Sequence, residues 1–376
     1  MILGCVNVIA DEMNPARVAA LRLGMGEAMT AFTVQINCGS GMQSIDTAYR
    51  YIREGAADLI LAGGAESLSH APLVFSRSAV NWYARLFAAH GIGARLAALL
   101  GFRPSFLTPV IGLERGLTDP ITELNMGQTA ELVAHLFHVT RRQADEYAAE
   151  SQLRLAAAQK NNYFAGEIEP AFARDGTLFD HDDGVRPDSN ADALAKLRPA
   201  FERPWGKVTP GNSSQITDGA SWVILASEEA LLAHKLTPKA VIVDSEWSAL
   251  DPSVMGLGPC YCSTAILKRH QLALNDIELW ELNEAFAAQV FGCLAAWEDD
   301  EFCRDALRLP GAAGKIPRDR LNIDGGAIGV GHPVGASGNR IVLHLVNAMR
   351  RLGYKRGIAT ECIGGGQGGA MLIQMM

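Results

Sequence analysis

Two cysteines and one histidine lie in glycine-rich segments, where backbone can approach a bound ligand closely. Cys38, in the pattern C-G-S-G, follows an extended stretch and precedes a helical pattern. At the first turn of a helix, unpaired N–H groups and the helix dipole favour a thiolate, the nucleophilic form of cysteine. A free cysteine is also commonly a buried structural residue, and C-G-S-G alone is equally compatible with both interpretations.

His332 lies between glycines and also stands just before a helical pattern. Because a helix N-terminus disfavours the imidazolium, a histidine here stays neutral. It can then donate a hydrogen bond to an oxyanion or accept the proton of a nearby thiol. Taken alone, the pattern favours a simpler role as a turn or capping residue.

Cys362 precedes residues 364–369, in which five of the six positions are glycine. Such a run leaves backbone N–H groups free to form an oxyanion hole, and Gly364 is a candidate donor. The same run is compatible with an ordinary hairpin turn. Asn283, in the pattern N-E-A-F, is either a polar site residue or the cap of a helix.

Two segments of the chain repeat one arrangement of strand, glycine-rich turn, helix and strand. In the first, residues 32–36 and 58–62 are predicted strands, and the turn at Cys38 precedes a helix that reaches residue 53. In the second, the turn at His332 precedes a helix, and strands follow at 357–361 and 370–373. The repeat predicts a duplicated βαβ core with the site where the halves meet.

Other elements are predicted around these two units. Residues 132–160 form a charged helical pattern, and a helix is expected to open at Asn283. Further strands are predicted at 222–226, 240–245 and 278–282, with a helix at 227–235.

Composition excludes several classes of protein. The 376 residues are enough for two domains, and 48% hydrophobic with 20% charged residues is typical of a globular protein. A net charge of −8 argues against nucleic acid as the main partner. The seven cysteines show no paired or metal-binding spacing, which predicts free thiols, no metal and a reducing compartment. Because the sequence has neither a long apolar run nor a signal peptide, we expect the protein to be cytoplasmic.

Read in order, C-G-S-G, N-E-A-F, G-H-P-V-G-A-S-G and C-I-G-G-G resemble the motifs of the thiolases. The resemblance runs from about Asn14 to the C-terminus, and the segments that begin at Met126 and Gly211 match as well. It implies an α/β fold of duplicated αβαβα layers. The N-terminal half would span 1–228, with a loop domain inserted at about 67–190, and the C-terminal half 229–376. Members of the family carry further residues before this start, so we expect the first strand and helix to be missing.

The resemblance also implies a two-step acyl transfer. Cys38, activated by His332, would attack the keto carbonyl of a 3-ketoacyl-CoA. Acetyl-CoA would leave as an enolate held by His332 and by a water on Asn283, and Cys362 would supply the proton. Cys362 would then deprotonate incoming CoA, which attacks the acyl-Cys38 thioester.

The remaining site residues follow from the same resemblance. The N–H groups of Cys38 and Gly364 would form an oxyanion hole in the second step. Ser214 is expected near the pantetheine of CoA, and Met126 and Phe286 near the acyl group. CoA enters as a substrate, and no cofactor is expected.

The branch of the family is less clearly indicated. Residues 197–210 and the long segment before Met126 resemble the β-subunits of fatty-acid β-oxidation complexes. Residues 67–113 contain four arginines and no acidic residue, which fits contact of residues 82–107 with a membrane, and an α-subunit partner is implied. A packed insert that covers the site is an equal alternative. Those β-subunits usually have a histidine before the Glu, whereas this chain has Asn283 before Glu284.

These features together favour a general 3-ketoacyl-CoA thiolase that forms a homodimer or tetramer. They do not indicate the length of the acyl chain that it accepts. One alternative is a short-chain acetoacetyl-CoA thiolase that works in the condensing direction. Another is a decarboxylating enzyme of the ketoacyl-synthase type, but those enzymes lack the second catalytic cysteine that Cys362 would supply. A third is a catalytically impaired thiolase-like subunit that binds lipid or acts as a scaffold, although the catalytic positions are filled.

Overall fold

The computed structural model describes residues 1–173 and 175–376. The strands are β1 Ile2–Gly4, β2 Phe32–Val34, β3 Leu59–Ser67, β4 Leu73–Val74, β5 Val110–Ile111, β6 Ala171–Phe172, β7 Leu178–Phe179, β8 Asp218–Ala226, β9 Ala240–Ala249, β10 Leu279–Leu282, β11 Arg356–Ile363 and β12 Gln367–Met375. The α-helices are α1 Pro15–Arg22, α2 Ser40–Arg53, α3 Arg77–Ala88, α4 Ile92–Leu100, α5 Gly112–Gly116, α6 Met126–Leu136, α7 Arg141–Lys160, α8 Ala191–Leu194, α9 Glu228–His234, α10 Gly258–Arg269, α11 Ala287–Glu298, α12 Asp300–Asp305, α13 Ala327–Val330 and α14 Val334–Leu352.

Two four-stranded sheets form the core. Their strand orders are β2-β1-β3-β8 and β10-β11-β12-β9. In the first sheet β1 pairs in parallel with β2 and β3, and β8 runs antiparallel to β3. In the second, β10 and β11 are parallel, and β12 runs antiparallel to both β11 and β9. Each sheet thus has three strands in one direction and one, β8 or β12, in the opposite direction, although β8 lies at the edge of its sheet and β12 does not. This shared composition agrees with the duplication predicted from the sequence.

Helices α2 and α14 lie side by side between the two sheets. One apolar cluster joins both helices to both sheets, including Ile2 and Ile60 of the first sheet and Leu279 and Met371 of the second. Helix α10 packs on the other face of the second sheet, and α1 packs on β1 and β2. The inner faces of both sheets and the outer face of the second are therefore covered by helices, whereas Leu59 of β3 and Ile224 of β8 remain exposed. The predicted layered α/β fold is confirmed.

The insert between β3 and β8 carries α3 to α8. Its first part has a small apolar core of its own, formed by Ala79, Trp82 and Phe106. The indole Nε1 of Trp82 donates to the carbonyl of Ala98, at 2.8 Å, and so ties α3 to α4. Its second part, α6 and α7, packs against α11 and α13 of the C-terminal half. The insert therefore contributes directly to the region where the halves meet.

Two local predictions differ from the structure. The helical pattern at 132–160 is divided between α6 and α7, because Thr140 caps α7 in a capping box with Gln143. The helix predicted to open at Asn283 begins at Ala287 instead. The segment before it is held extended, since the N–H of Ala287 donates to the carbonyl of Asn212 at 2.9 Å. In the described residues, none of the helices has the length and apolar character needed to cross a membrane.

Candidate active site

Cys38 lies in the turn between β2 and α2. Asn37, just before it, adopts a left-handed conformation with φ of 48°, which asparagine tolerates better than most residues. Its Nδ2 donates to the carbonyl of Gly364 at 2.7 Å, across 327 residues of chain. Ser40 closes the turn, because its Oγ accepts from the N–H of Ile36 at 2.9 Å. The glycine-rich turn of the C-terminal half is thereby fixed beside Cys38.

The Cys38 side chain is a neutral thiol at rest. Burial raises its pKa to about 11, and the charges of Glu361 and Glu66 act in the same direction. The N–H groups of Gly364 and of Cys38 itself lower the pKa, but by less than burial raises it. The helix N-terminus at Ser40 favours the thiolate, but desolvation of the thiol outweighs this effect. Attack by Cys38 requires a base that removes its proton.

His332 supplies such a base in its neutral form. Burial, followed by the positive charge of Arg340, lowers the pKa of its imidazole to about 4. Its Nδ1 lies 2.6 Å from the Oγ of Ser337, and that hydroxyl donates onward to the carbonyl of Pro333 at 3.1 Å. Because the Ser337 hydroxyl donates its proton to Pro333, it can only accept a hydrogen bond from Nδ1. The imidazole hydrogen is therefore on Nδ1, and Nε2 is the free acceptor. The nitrogen suited to accept a thiol proton is Nε2.

Asn283 stands directly after β10 and faces that nitrogen. Its Nδ2 lies 3.4 Å from the Nε2 of His332. Its backbone is pinned, because its N–H donates to the carbonyl of Thr360 at 2.9 Å. Its Oδ1 is buried and has no partner among the described residues. A buried amide oxygen of this kind is a suitable acceptor for an ordered water.

Cys362 is the last residue but one of β11. Its thiol is buried, and burial raises its pKa well above the usual range, with further contributions from Cys38 and Glu361. Gly365 and Gly366 adopt positive φ values of 90° and 77°, so the turn after Cys362 requires glycine. A Cβ at Gly364 would come within 3.2 Å of the Sδ of Met126. A larger residue at 364 would therefore press on Met126 and shift the turn, whose N–H at Gly364 lies close to Cys38.

An apolar wall packs against the Cys362 thiol. Phe286 and Cys362 belong to one buried cluster, and Met126 packs against it. The ring of Phe201 meets that of Phe286 edge-on, with 6.3 Å between centroids. Ser214 borders this wall, because its N–H donates to the carbonyl of Ala285 at 3.0 Å. The structure thus brings Cys38, Cys362, Gly364, Met126 and Phe286 together, and it places Asn283 against His332.

Glu284 is a buried carboxylate that the sequence analysis does not single out. It accepts hydrogen bonds from the Tyr147 hydroxyl at 2.8 Å, Ser151 Oγ at 2.7 Å, Asn322 Nδ2 at 3.1 Å and the N–H of Ile328 at 3.2 Å. These four hydrogen bonds fix the position of the carboxylate and so restrain the neighbouring Asn283. Its position next to Asn283 is the one feature of the sequence that points to Glu284.

Glu66 has the equivalent role in the first half, at the end of β3. Its carboxylate accepts from the N–H groups of Val6 at 3.1 Å, Asn7 at 2.9 Å and Gly335 at 3.0 Å. It therefore connects the segment after β1 to the start of α14, three residues after His332. No pattern in the sequence indicates this contact. In residues 1–173 and 175–376, no group of three or more His, Cys, Asp or Glu side chains could hold a metal ion.

Comparison with known proteins identifies the class to which this arrangement belongs. Residues 1–229 match the family model of the thiolase N-terminal domain, and residues 236–375 match that of the thiolase C-terminal domain. The chain belongs to the thiolase family. It is therefore an acyltransferase, and the resemblance described from the four motifs is confirmed.

Individual relatives of this thiolase-family chain are moderately similar. It is 38% identical to the β-ketoadipyl-CoA thiolase of Pseudomonas aeruginosa, over 100% of this chain and 86% of the relative. It is 35% identical to the mitochondrial trifunctional enzyme subunit beta of Bos taurus, over 100% of this chain and 78% of the relative. The crystal structure of human mitochondrial 3-ketoacyl-CoA thiolase in complex with CoA superposes with a TM-score of 0.84 at 36% identity, covering 100% of this chain and 86% of that one.

Proposed function

We propose that this chain cleaves 3-ketoacyl-CoA with CoA, through an acyl group carried on Cys38. The observation that carries the proposal is a set of two neighbouring thiols beside one glycine-rich turn, together with a neutral imidazole that faces a buried amide. Two thiols suit the chemistry, because one must be a nucleophile and leaving group and the other a proton carrier. Family members named as 3-ketoacyl-CoA and β-ketoadipyl-CoA thiolases support it.

In the first step, the Nε2 of His332 accepts the Cys38 proton and the thiolate attacks the keto carbon of the substrate. The bond between that carbon and the neighbouring methylene then breaks, and its electron pair passes to the enolate of acetyl-CoA. A water on the free Oδ1 of Asn283 and His332 hold the enolate oxygen. Cys362 protonates the enolate carbon and is left as a thiolate.

In the second step, the Cys362 thiolate takes the proton of incoming CoA. The CoA thiolate attacks the acyl-Cys38 carbonyl, and the N–H groups of Cys38 and Gly364 stabilise the developing oxyanion. The Cys38 thiolate leaves and recovers its proton from His332. Both thiols and the imidazole thus return to their resting protonation states. No other proton donor is required.

The test is loss of acetoacetyl-CoA and of longer 3-ketoacyl-CoAs on addition of CoA, for wild type and Cys38→Ser. The wild type should turn over at least one chain length, and Cys38→Ser should be inactive against all of them. A folded wild type that cleaves none would refute the proposal. The reverse assay, condensation of two acetyl-CoA molecules, tests whether the chain works in the synthetic direction.

The metabolic setting is also a proposal. Similarity to the mitochondrial trifunctional enzyme subunit beta supports a role in fatty-acid β-oxidation and an α-subunit partner. A cytoplasmic location and a homo-oligomeric state complete the proposal. Light scattering of the purified chain would give its oligomeric state, and a monomer would contradict the last point. Co-expression with a candidate hydratase–dehydrogenase subunit would test the partner by co-elution.

A contact between the insert and a membrane surface is supported by one specific observation. On α3, α4 and the residues between them, Phe87, Ile92 and Leu100 are each more than 80% exposed. Arg85 and Arg95 lie beside them, in a segment without acidic residues. Apolar groups flanked by arginines fit an anionic lipid surface. In a flotation experiment the wild type should rise with anionic vesicles and Phe87→Asp should not. A wild type that does not float with the vesicles would refute the contact.

A further inference from the structure

One buried carboxyl group beside the site takes no part in the two steps of the proposed reaction. Glu361 directly precedes Cys362 on β11, and 0% of its surface is exposed. Neither of its carboxyl oxygens has a hydrogen-bond partner among the described residues. Glu284 and Glu66 are also buried, but each accepts at least three hydrogen bonds. Glu361 therefore differs from both, because it lacks the donors that stabilise a buried negative charge.

The Glu361 carboxyl group fills a space that a glycine of α14 leaves free. A Cβ on Gly338 would lie 2.2 Å from Oε1 of Glu361 and 2.6 Å from the backbone nitrogen of Met42 on α2. The carboxyl group thus lies at the contact between α2 and α14. When it is ionised, its charge raises the pKa of both the Cys38 and the Cys362 thiol. The charge state of Glu361 therefore bears on both reactive groups.

Arg340 on α14 supplies the positive charge near Glu361, but it donates no hydrogen bond to that carboxyl group. Glu281, on the neighbouring β10, is a second buried carboxyl group on the same sheet. On α2, Asp46 is hydrogen-bonded to β9 instead, and β12 has no charged residue. Burial is therefore the dominant effect, and it raises the pKa of Glu361 well above its usual value against the effect of Arg340.

We infer that Glu361 remains a neutral carboxylic acid during turnover, and that its ionisation at high pH slows thiolysis by repelling the thiolates of Cys38 and Cys362. The inference rests on the proposed thiolysis and adds an alkaline limit to it. Cys38 is a thiolate when it attacks, and Cys362 is a thiolate between the two steps. A neutral neighbour adds no repulsion to either, whereas a carboxylate destabilises both. Turnover is therefore full while Glu361 is protonated and falls as the carboxyl group loses its proton.

Difference infrared spectroscopy measures the state of Glu361 directly. At pH 7, the spectrum of the wild type minus that of Glu361→Gln should contain the C=O stretch of a protonated carboxyl group. Carboxylate bands should replace it as the pH is raised. Carboxylate bands alone at pH 7 would overturn the inference. This readout does not depend on turnover.

The kinetic test is kcat/KM for acetoacetyl-CoA cleavage between pH 6 and pH 10, with circular dichroism to confirm the fold at each pH. Ionisation of CoA and of Cys38 is common to wild type and variant, so a comparison of the two isolates Glu361. In Glu361→Gln, the ratio of kcat/KM at pH 10 to that at pH 6 should exceed the wild-type ratio about threefold or more, the effect of half a pKa unit. Glu361→Met, which also lacks the charge, should behave alike and keeps the inference testable if the glutamine variant does not fold.

Glu281→Gln is the matched control. Glu281 is also a buried glutamate with an unpartnered oxygen among the described residues, but it faces His344 at 3.9 Å rather than the thiols. Its ratio of kcat/KM at the two pH values should equal that of the wild type. Equal pH profiles in the wild type and both Glu361 variants would overturn the inference but leave the proposed thiolysis standing. No turnover of any substrate by the folded wild type would refute the proposed function instead.

Discussion

At rest Cys38 is a neutral thiol and His332 is a neutral imidazole. The pKa of the thiol is raised to about 11 and that of the imidazole is lowered to about 4, in both cases mainly by burial. The proton therefore remains on sulfur until a substrate carbonyl is in position to receive the attack. A resting thiolate would be open to oxidation and alkylation, so the neutral pair protects the nucleophile between turnovers.

The reactivity of Cys38 toward iodoacetamide should therefore rise about tenfold per pH unit from pH 7 to pH 9, without a plateau. Only the thiolate reacts, and its fraction grows in proportion to hydroxide concentration below the pKa. The measurement is the rate of alkylation of the Cys38 peptide, with Cys362→Ser to remove the second site thiol. A plateau below pH 8 would show that the two residues exist as an ion pair.

At the scale of elements, α2 and α14 approach so closely that glycine is needed between them. A Cβ at Gly41, on α2, would lie 2.7 Å from the backbone nitrogen of Asn339 and 2.9 Å from the carbonyl oxygen of Gly335, both on α14. Backbone atoms cannot rotate away as a side chain can. Because α2 follows Cys38 and α14 follows His332, this contact sets the separation of the two reactive groups.

Gly41→Ala should therefore lower both stability and turnover. Forcing the helices apart is expected to cost about 1–3 kcal/mol of unfolding free energy, as other overpacked cores do. Gly93→Ala is the control, because Gly93 also lies in a helix but a Cβ there would meet open space. That variant should keep its activity and be equally stable or slightly more so. Urea denaturation and acetoacetyl-CoA cleavage check both, and equal behaviour of the two variants would contradict the account.

The elements around these helices could largely be predicted from sequence, because each repeat begins with an extended apolar stretch and turns at glycines. What could not be predicted depends on contacts between distant segments. The backbone of Asn283 is fixed by Thr360 and that of Ala287 by Asn212, and the turn at Cys38 is fixed by the hydrogen bond from Asn37 to Gly364. The neutral state of Cys38 depends on desolvation by the assembled halves, which no local pattern reports.

At the scale of the whole molecule, a buried polar network joins the insert to the C-terminal half. His344 on α14 lies 3.0 Å from Glu167 of the insert, 3.4 Å from Asp324 and 3.9 Å from Glu281 on β10. These carboxylates raise the pKa of the imidazole to about 10 against the opposing effect of burial. Burial raises the pKa of Glu281 to about 7. His344 is therefore a cation that holds together carboxylates from three segments.

Stability should therefore decrease from pH 6 to pH 9. The stabilisation from His344 is complete below its unfolded pKa of 6.5 and is lost as the pH rises toward about 10. Glu281 acts in the same direction, since its stabilising proton is lost as the pH rises through about 7. Urea denaturation at both pH values would measure the slope. His344→Gln should be less stable at pH 6 and should show a shallower slope. An unchanged slope in that variant would rule out His344 as its source.

The central claim is that catalysis passes through an acyl group on Cys38, and peptide mapping by mass spectrometry tests it most directly. After exposure to acetoacetyl-CoA without added CoA, the wild type should carry one acetyl group, on the peptide that contains Cys38. Cys362→Ser, which retains the nucleophile, should acquire the same adduct more slowly, and Cys38→Ser should acquire none. An adduct on Cys362, or no adduct on a folded wild-type protein, would contradict the account.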